Sequence, residues 1–376
     1  MEPIKTVVVG LGYAGQGIHV PVVANNDRAV LAGVFDPRKG FSNKVIKVFR
    51  KRNIISNGTN PAIYETYDQV LKDDDVDAVI LCTPHELHIP MTKQTLETGK
   101  AVLCEKPMCT TFEAGKEFLE YIKNSGYASR LAIGYMWPFD AAVTSLRDMI
   151  DSGVHGFSRL PVVASQYFLT GDYDSWLAGF KPIKGGKNPP HETVRPALLR
   201  NEIEKKAYEW LINVWSHASN LFQVLFSAPE AVSDVNIWNR GESFSWTETH
   251  GGFRSINYCS WVTGSEFWRG IKVHYPISTF ELQLLPPMQK APARLWITED
   301  DTTTEQKIET TPATSWSYSS RFEGFLDLIA GNGKYTVEQN LSDLSHAVVD
   351  LELAEAIIRS FQERKPIALD DASNTR

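Results

Sequence analysis

Four short apolar runs punctuate the first third of the chain: Thr6-Val7-Val8-Val9, Val30-Leu31-Ala32-Gly33-Val34-Phe35, Ala78-Val79-Ile80-Leu81-Cys82 and Ala101-Val102-Leu103-Cys104. Near-continuous apolar runs, rather than alternating ones, predict strands buried on both faces, hence a parallel sheet covered by helices. The segments between them carry the helical period. Over 112–123, Phe118, Leu119 and Ile122 fall on one side, with Lys and Glu elsewhere. Arg130-Leu131-Ala132-Ile133-Gly134 predicts a further strand, followed by a helix over 140–151.

Beyond about residue 155 the pattern changes. Tryptophan becomes frequent, and the runs 267–275 and 280–284 alternate apolar and polar residues in period two, as in an antiparallel sheet with unlike faces. A Lys-, Gly- and Pro-rich stretch, 179–196, predicts a long loop or lid flanked by Trp176, Lys181 and Lys184. The end returns to helix over 340–362, with Leu341, Leu344, Val348, Leu351, Ala354 and Ile358 in register. The expected architecture is α/β: a doubly wound parallel sheet over 1–128, then an α+β domain over 129–376 with an open, mostly antiparallel sheet.

Charge and composition narrow the function. A net charge of −7 gives no general attraction to polyanions, so no nucleic-acid partner is expected. The basic run Lys47-Val48-Phe49-Arg50-Lys51-Arg52 reads as a solvated helix end. Cys82, Cys104, Cys109 and Cys259 form neither a disulfide framework nor a set with zinc-ligand spacing, and no metal is expected. No apolar stretch approaches the ~20 residues of a membrane span, and no secretory leader precedes the first strand. A cytoplasmic protein is the expectation.

Gly10-Leu11-Gly12-Tyr13-Ala14-Gly15 follows a predicted strand and opens a predicted helix. That context makes G-x-G-x-x-G a dinucleotide fingerprint. Gly10 permits the turn, Gly12 admits the pyrophosphate, and Gly15 lets the helix pack; backbone N–H groups around Tyr13 and Ala14 face the phosphates. Asp36 ends the second strand, where a carboxylate accepts from a ribose 2′-OH and disfavours a 2′-phosphate. NAD is therefore the expected cofactor, although Arg38 and Lys39 keep NADP open. An Asp in this place also serves as a plain turn residue or helix cap.

Cys104-Glu105-Lys106-Pro107 at a strand end, Thr83-Pro84-x-x-x-His88, Gly134-Tyr135 and Ser152-Gly153-Val154-His155-Gly156, taken with the glycine motif, resemble the glucose-fructose oxidoreductase, inositol dehydrogenase and MocA family. The resemblance implies an NAD(P)-binding Rossmann domain and a second domain whose open sheet mediates a homodimer or homotetramer. It also implies hydride transfer at a carbinol or ketone carbon of a sugar, cyclitol or related small molecule. Lys106 then polarises a carbonyl oxygen or exchanges a proton with a hydroxyl, and the Lys106–Pro107 bond is a candidate cis peptide. Glu105 pairs with a nearby cation. Thr83 and Pro84 lie along the nicotinamide ribose; His88 is either near the cofactor or a surface residue at a helix start. Relatives carry an Asp and a His four residues apart on a helix; here the matching pair is Asn213 and His217 on a helix over 210–226, with Asn220 where an acid is frequent. His217 is expected to relay the hydroxyl proton and Asn213 to orient substrate, against a reading of His217 as a core residue beneath Trp210 and Trp215. Tyr135, Trp137 and Gln166 complete the expected substrate contacts. The missing carboxylate leaves two rivals: a dinucleotide-binding regulator without turnover, and a glycosidase that recycles bound NAD.

Overall fold

The computed structural model describes residues 2–56, 59–170, 180–187, 189–261, 267–312, 314–331 and 333–370. Six parallel strands form the first sheet: β1 (Ile4–Val9), β2 (Ala29–Phe35), β3 (Ala62–Tyr64), β4 (Ala78–Leu81), β5 (Ala101–Cys104) and β6 (Leu131–Ile133), in the order β3-β2-β1-β4-β5-β6. This is the Rossmann order, with the reversal between β1 and β4 opening a crevice at their C-terminal ends. Val7, Val8 and Val9 are fully buried, as are Ala78, Val79, Ile80 and Leu81, which is why these runs do not alternate. Helices α1 (Val20–Ala24), α2 (Phe41–Lys51), α3 (Tyr67–Lys72), α4 (His88–Glu97) and α5 (Phe112–Ser125) cover the faces. The basic run ends α2, and Arg50 folds onto its own loop, donating to Asn60 Oδ1 at 2.8 Å.

After α6 (Ala141–Ser152) the chain builds a nine-stranded sheet from β7 (Val163–Thr170), β8 (Ala231–Trp238), β9 (Ser243–His250), β10 (Phe253–Trp261), β11 (Phe267–His274), β12 (Ser278–Leu284), β13 (Arg294–Glu299), β14 (Thr302–Glu305) and β15 (Ile367–Ala368). Its order is β14-β13-β12-β11-β7-β10-β9-β8-β15, and only the β7–β10 pair is parallel. Its inner face packs on helical turns α7 (Glu202–Trp210) and α8 (Ser216–Leu225), where Trp215 meets Trp246 edge-on at 4.5 Å.

Two differences from the sequence pattern matter. The helix expected over 210–226 starts eight residues earlier and is interrupted by a π turn, Leu211–Trp215. The last helices, α9 (Ser317–Ala330) and α10 (Val337–Glu363), return to the first sheet. Asn340 of α10 donates to the carbonyls of Ala128 and Leu131 at 2.8 and 2.7 Å, and Arg321 Nε donates to Ile133 O at 2.8 Å.

The described part of the expected loop, 180–187 and 189–196, holds no helix or strand. Residues 180–187 lie as a strap along the glycine-motif helix. Gln16 accepts from the Ile183 N–H at 2.8 Å and donates back to the Ile183 carbonyl at 3.1 Å, while Lys44 donates to Lys184 O at 2.9 Å. Trp176 lies outside the described residues. No helix among the described residues is long and apolar enough to cross a membrane.

Candidate active site

β1 delivers the chain into Gly10, whose φ of +90° belongs to glycine; a Cβ there would stand 2.4 Å from the Cys82 carbonyl oxygen. A Cβ on Gly15 would meet Gly10 O at 2.0 Å, so the helix approaches the turn too closely for any side chain. Above Gly12, by contrast, nothing lies within 4 Å. The space a dinucleotide's pyrophosphate needs is open at Gly12, and Thr83 adds a buried hydroxyl with no partner among the described residues. Tyr13 and Ala14 line the adjacent cavity. The residues present fit an NAD(P) cofactor.

Asp36 sits at the end of β2, accepting from the Leu11 N–H at 2.8 Å. Arg38 grips the same carboxylate from both sides, with Nε and Nη2 each 2.7 Å from an oxygen, and stacks its guanidinium 3.7 Å over the Phe41 ring. Acid and base share the ribose corner, so Asp36 alone does not set the 2′ preference.

The Glu105-Lys106-Pro107 turn leaves β5 through a cis Lys106–Pro107 bond. Burial alone would raise the Glu105 carboxyl, but His19 Nε2 at 2.7 Å from Oε1 prevails and holds it below the usual range. His19 reaches it because the glycine-motif helix carries its own π turn, Gly15–His19. His88 is buried rather than on the surface: its ring nitrogens lie 2.8 Å from Pro107 O and 3.0 Å from Thr83 O, bracing the turn.

Lys106 Nζ donates to the Asn213 backbone carbonyl at 2.6 Å. In this π turn the Ser216 N–H reaches back to Leu211 O, and the Ser216 hydroxyl donates to Ile212 O at 2.7 Å. Burial pushes the ammonium down to about 8, against the pull of Glu105 and with repulsion from Arg269. The Asn213 side chain itself turns away, donating to Glu209 O at 2.9 Å, and is not among the cavity's lining residues. His217 is 4 % exposed, and its Nδ1 has no partner among the described residues. Burial, then the nearby Lys106 and Arg269 charges, hold this imidazole well below its ordinary range, in its neutral form.

Lys106 and His217 line one cavity of about 170 Å³ with Tyr13, Thr83, His85, His88, Glu105 and Tyr318. Of the expected substrate contacts, Trp137 and Tyr135 buttress His217 at ring distances of 5.2 and 5.9 Å without lining the cavity. Gln166 is fully buried on the inner face of β7. Sequence reasoning missed His19, His85, Tyr318 and Arg269; His19 stood four residues past Gly15 and His85 inside the Thr83–His88 motif, while Tyr318 and Arg269 stood near no recognised motif.

Residues 4–132 match the Gfo/Idh/MocA oxidoreductase family, NAD-binding Rossmann fold. The chain carries the NAD-binding domain of the Gfo/Idh/MocA family. Among curated relatives, the scyllo-inositol 2-dehydrogenase (NAD(+)) of Bacillus subtilis is 33 % identical over 153 residues, 41 % of this chain and 42 % of that protein. The D-xylose 1-dehydrogenase (NADP(+)) of Haloarcula marismortui is 33 % identical over 193 residues, 46 % of this chain and 47 % of that protein. The chain thus spans less than half the length of these relatives. A likeness in fold alone extends further. A putative myo-inositol dehydrogenase from Sinorhizobium meliloti superimposes with a TM-score of 0.69 at 18 % identity, over 98 % of this chain and 100 % of that one. An aldose-aldose oxidoreductase from Caulobacter crescentus gives 0.70 at 17 % identity, over 98 % and 100 %.

Proposed function

We propose that this protein is an NAD(P)-dependent oxidoreductase acting on a carbinol or ketone carbon of a sugar, cyclitol or related small molecule. The observation that carries this reading is the meeting of Lys106 and His217 in one cavity beside the glycine turn. A bound nicotinamide would accept or donate the hydride. In alcohol oxidation the hydroxyl proton must leave as the hydride does, and His217, neutral and unpartnered at Nδ1, accepts it. Lys106, held by the Asn213 carbonyl, polarises the oxygen and stabilises its developing negative charge. Glu105 and His19 fix the turn that presents it. The inositol and xylose dehydrogenases among the relatives support the substrate class. NAD is the proposed cofactor on the strength of Asp36, with Arg38 admitting NADP.

The proposal extends to a nucleotide domain over 1–128, a substrate domain over 129–376 and a cytoplasmic location. It also includes a homodimer or homotetramer formed through the outer sheet face, where Ile256 is 57 % and Trp268 37 % exposed.

The test is nicotinamide absorbance during turnover of neutral and acidic sugars and cyclitols, with a separate dinucleotide titration. Lys106→Ala and His217→Ala should each lower kcat about 10²–10⁴-fold while cofactor affinity stays within a few-fold. A wild type that binds NAD and turns over no member of the panel overturns the enzyme reading in favour of a regulator.

A further inference from the structure

We infer that the substrate carries a carboxylate, bound by the guanidinium of Arg269. This rests on the oxidoreductase reading and names its substrate more closely. Arg269 stands on β11 and is 1 % exposed. Its Nη2 donates to Thr170 Oγ1, its Nε has no partner, and no carboxylate pairs with it among the described residues. A buried cation without a paired acid carries a large desolvation penalty even after water and structure relax. The rings of Phe168 and Phe267, 5.0 and 4.5 Å from the guanidinium carbon, return only part of that.

Two rings link Arg269 to the candidate active site, whose lining does not include it. Arg269 pairs across the sheet with Phe168. The Phe168 ring lies edge-on to Trp137 at 5.7 Å, and Trp137 lies 5.2 Å from His217. The Arg269 charge is felt at both Lys106 and His217, and at Tyr318, which lines the cavity with them. Two cations, Lys106 and Arg269, thus share this buried region, and Glu105, the acid beside them, is already engaged by His19. Among the described residues, the region has a positive charge to spare.

The neighbouring polar group completes the argument. Gln166 faces inward on β7 two residues before Phe168, is 0 % exposed, and leaves both its amide oxygen and nitrogen without partners. A buried amide with both ends open suits hydroxyl groups, which donate and accept. One planar guanidinium beside a hydroxyl matches a carboxylate's two oxygens; a phosphate dianion would call for more donors than this wall offers. An acidic sugar or polyol, an aldonate or uronate, joins the two halves of the pattern.

The experiment compares neutral and anionic members of matched sets on the wild-type protein with NAD and NADP: glucose, gluconate, glucuronate and glucose 6-phosphate, with the galactose and inositol counterparts. The expected result is a kcat/KM for a carboxylate at least about a hundredfold above its neutral partner, as for a site built around a polar group its competitor lacks. Arg269→Gln should raise KM for the acid by a similar factor, and Arg269→Lys by less. Should either variant fold poorly, the wild-type comparison stands alone, together with saturable thermal stabilisation of the NAD-loaded protein by the acid and not by the neutral sugar. Equal or better turnover of neutral sugars overturns the inference and leaves the oxidoreductase reading intact. Preference for the phosphate overturns the carboxylate assignment. Dinucleotide binding with no turnover of any member overturns the oxidoreductase reading itself, and this inference with it.

Discussion

Gly10 and Gly12 lie two positions apart and are constrained by different things. A side chain at Gly10 would collide with the Cys82 carbonyl at a positive φ, whereas one at Gly12 would meet nothing. Gly10→Ala should therefore lower thermal stability, the backbone conformation alone costing about 1–3 kcal/mol. Gly12→Val should leave the melting temperature near wild type and abolish dinucleotide binding, read by titration. Both glycines were legible from the sequence because the motif joins a strand to a helix. Lys106, Glu105 and Asp36 were legible for the same reason: they end strands at the crevice. Arg269 was not. Its strand alternates like any half-buried strand, and only the three-dimensional register, with Phe168 opposite it and no carboxylate paired with it among the described residues, reveals the charge. The Arg38 grip on Asp36 was not legible, since the sequence offered Arg38 only as a partner for a 2′-phosphate.

Helical spacing was the weakest guide. An i, i+4 pair shares a face only when each turn has about 3.6 residues, and one inserted residue rotates what precedes it by about 100°. The π turn Leu211–Trp215 makes that insertion between α7 and α8, so His217 faces the cavity while the Asn213 side chain faces Glu209. The carbonyl of Asn213, which no sequence pattern exposes, takes the place expected of its side chain. A second consequence lies where α8 meets α10. Asp350 accepts from Gln223 Nε2 at 2.8 Å and Asn220 Nδ2 at 3.3 Å, with Ser219 and Tyr135 close by and Glu248 adding repulsion. Burial raises its carboxyl to about 7. Between about pH 4 and 7 the folded state therefore binds more protons than the unfolded one, and this group's contribution to stability falls as pH rises through that window. Asp350→Asn should flatten the decline, as measured by denaturant unfolding at pH 5 and pH 8. The acid absent at position 220 thus reappears from a different helix, 130 residues along the chain.

Across the whole molecule, the strap at 180–187 belongs to the later half of the sequence yet is anchored on the earlier one. Phe180 packs edge-on against Tyr13 at 5.7 Å, and a Cβ on Gly17 or Gly185 would strike Phe180 or Phe41. The Ile183 amide is held by one side chain, Gln16. Gln16→Ala should speed hydrogen exchange at Ile183 while leaving the interior of β7 unchanged, as read by mass spectrometry; equal protection in both proteins would mean the strap is held elsewhere. The alternation of two sheet types was plain in the sequence, but these anchors were not, because long-range contacts between loops leave no periodic trace. They bear on modular engineering. Fusing the first 128 residues to a foreign substrate half, in order to move a cofactor preference between enzymes, would strip the strap from Gln16, the Asn340 amide from the Ala128 carbonyl, and the Glu323 and Asp327 carboxylates from Arg28. A graft that keeps its stability must carry the strap and the last two helices along with the nucleotide half, so the transplantable unit is not a continuous stretch of chain.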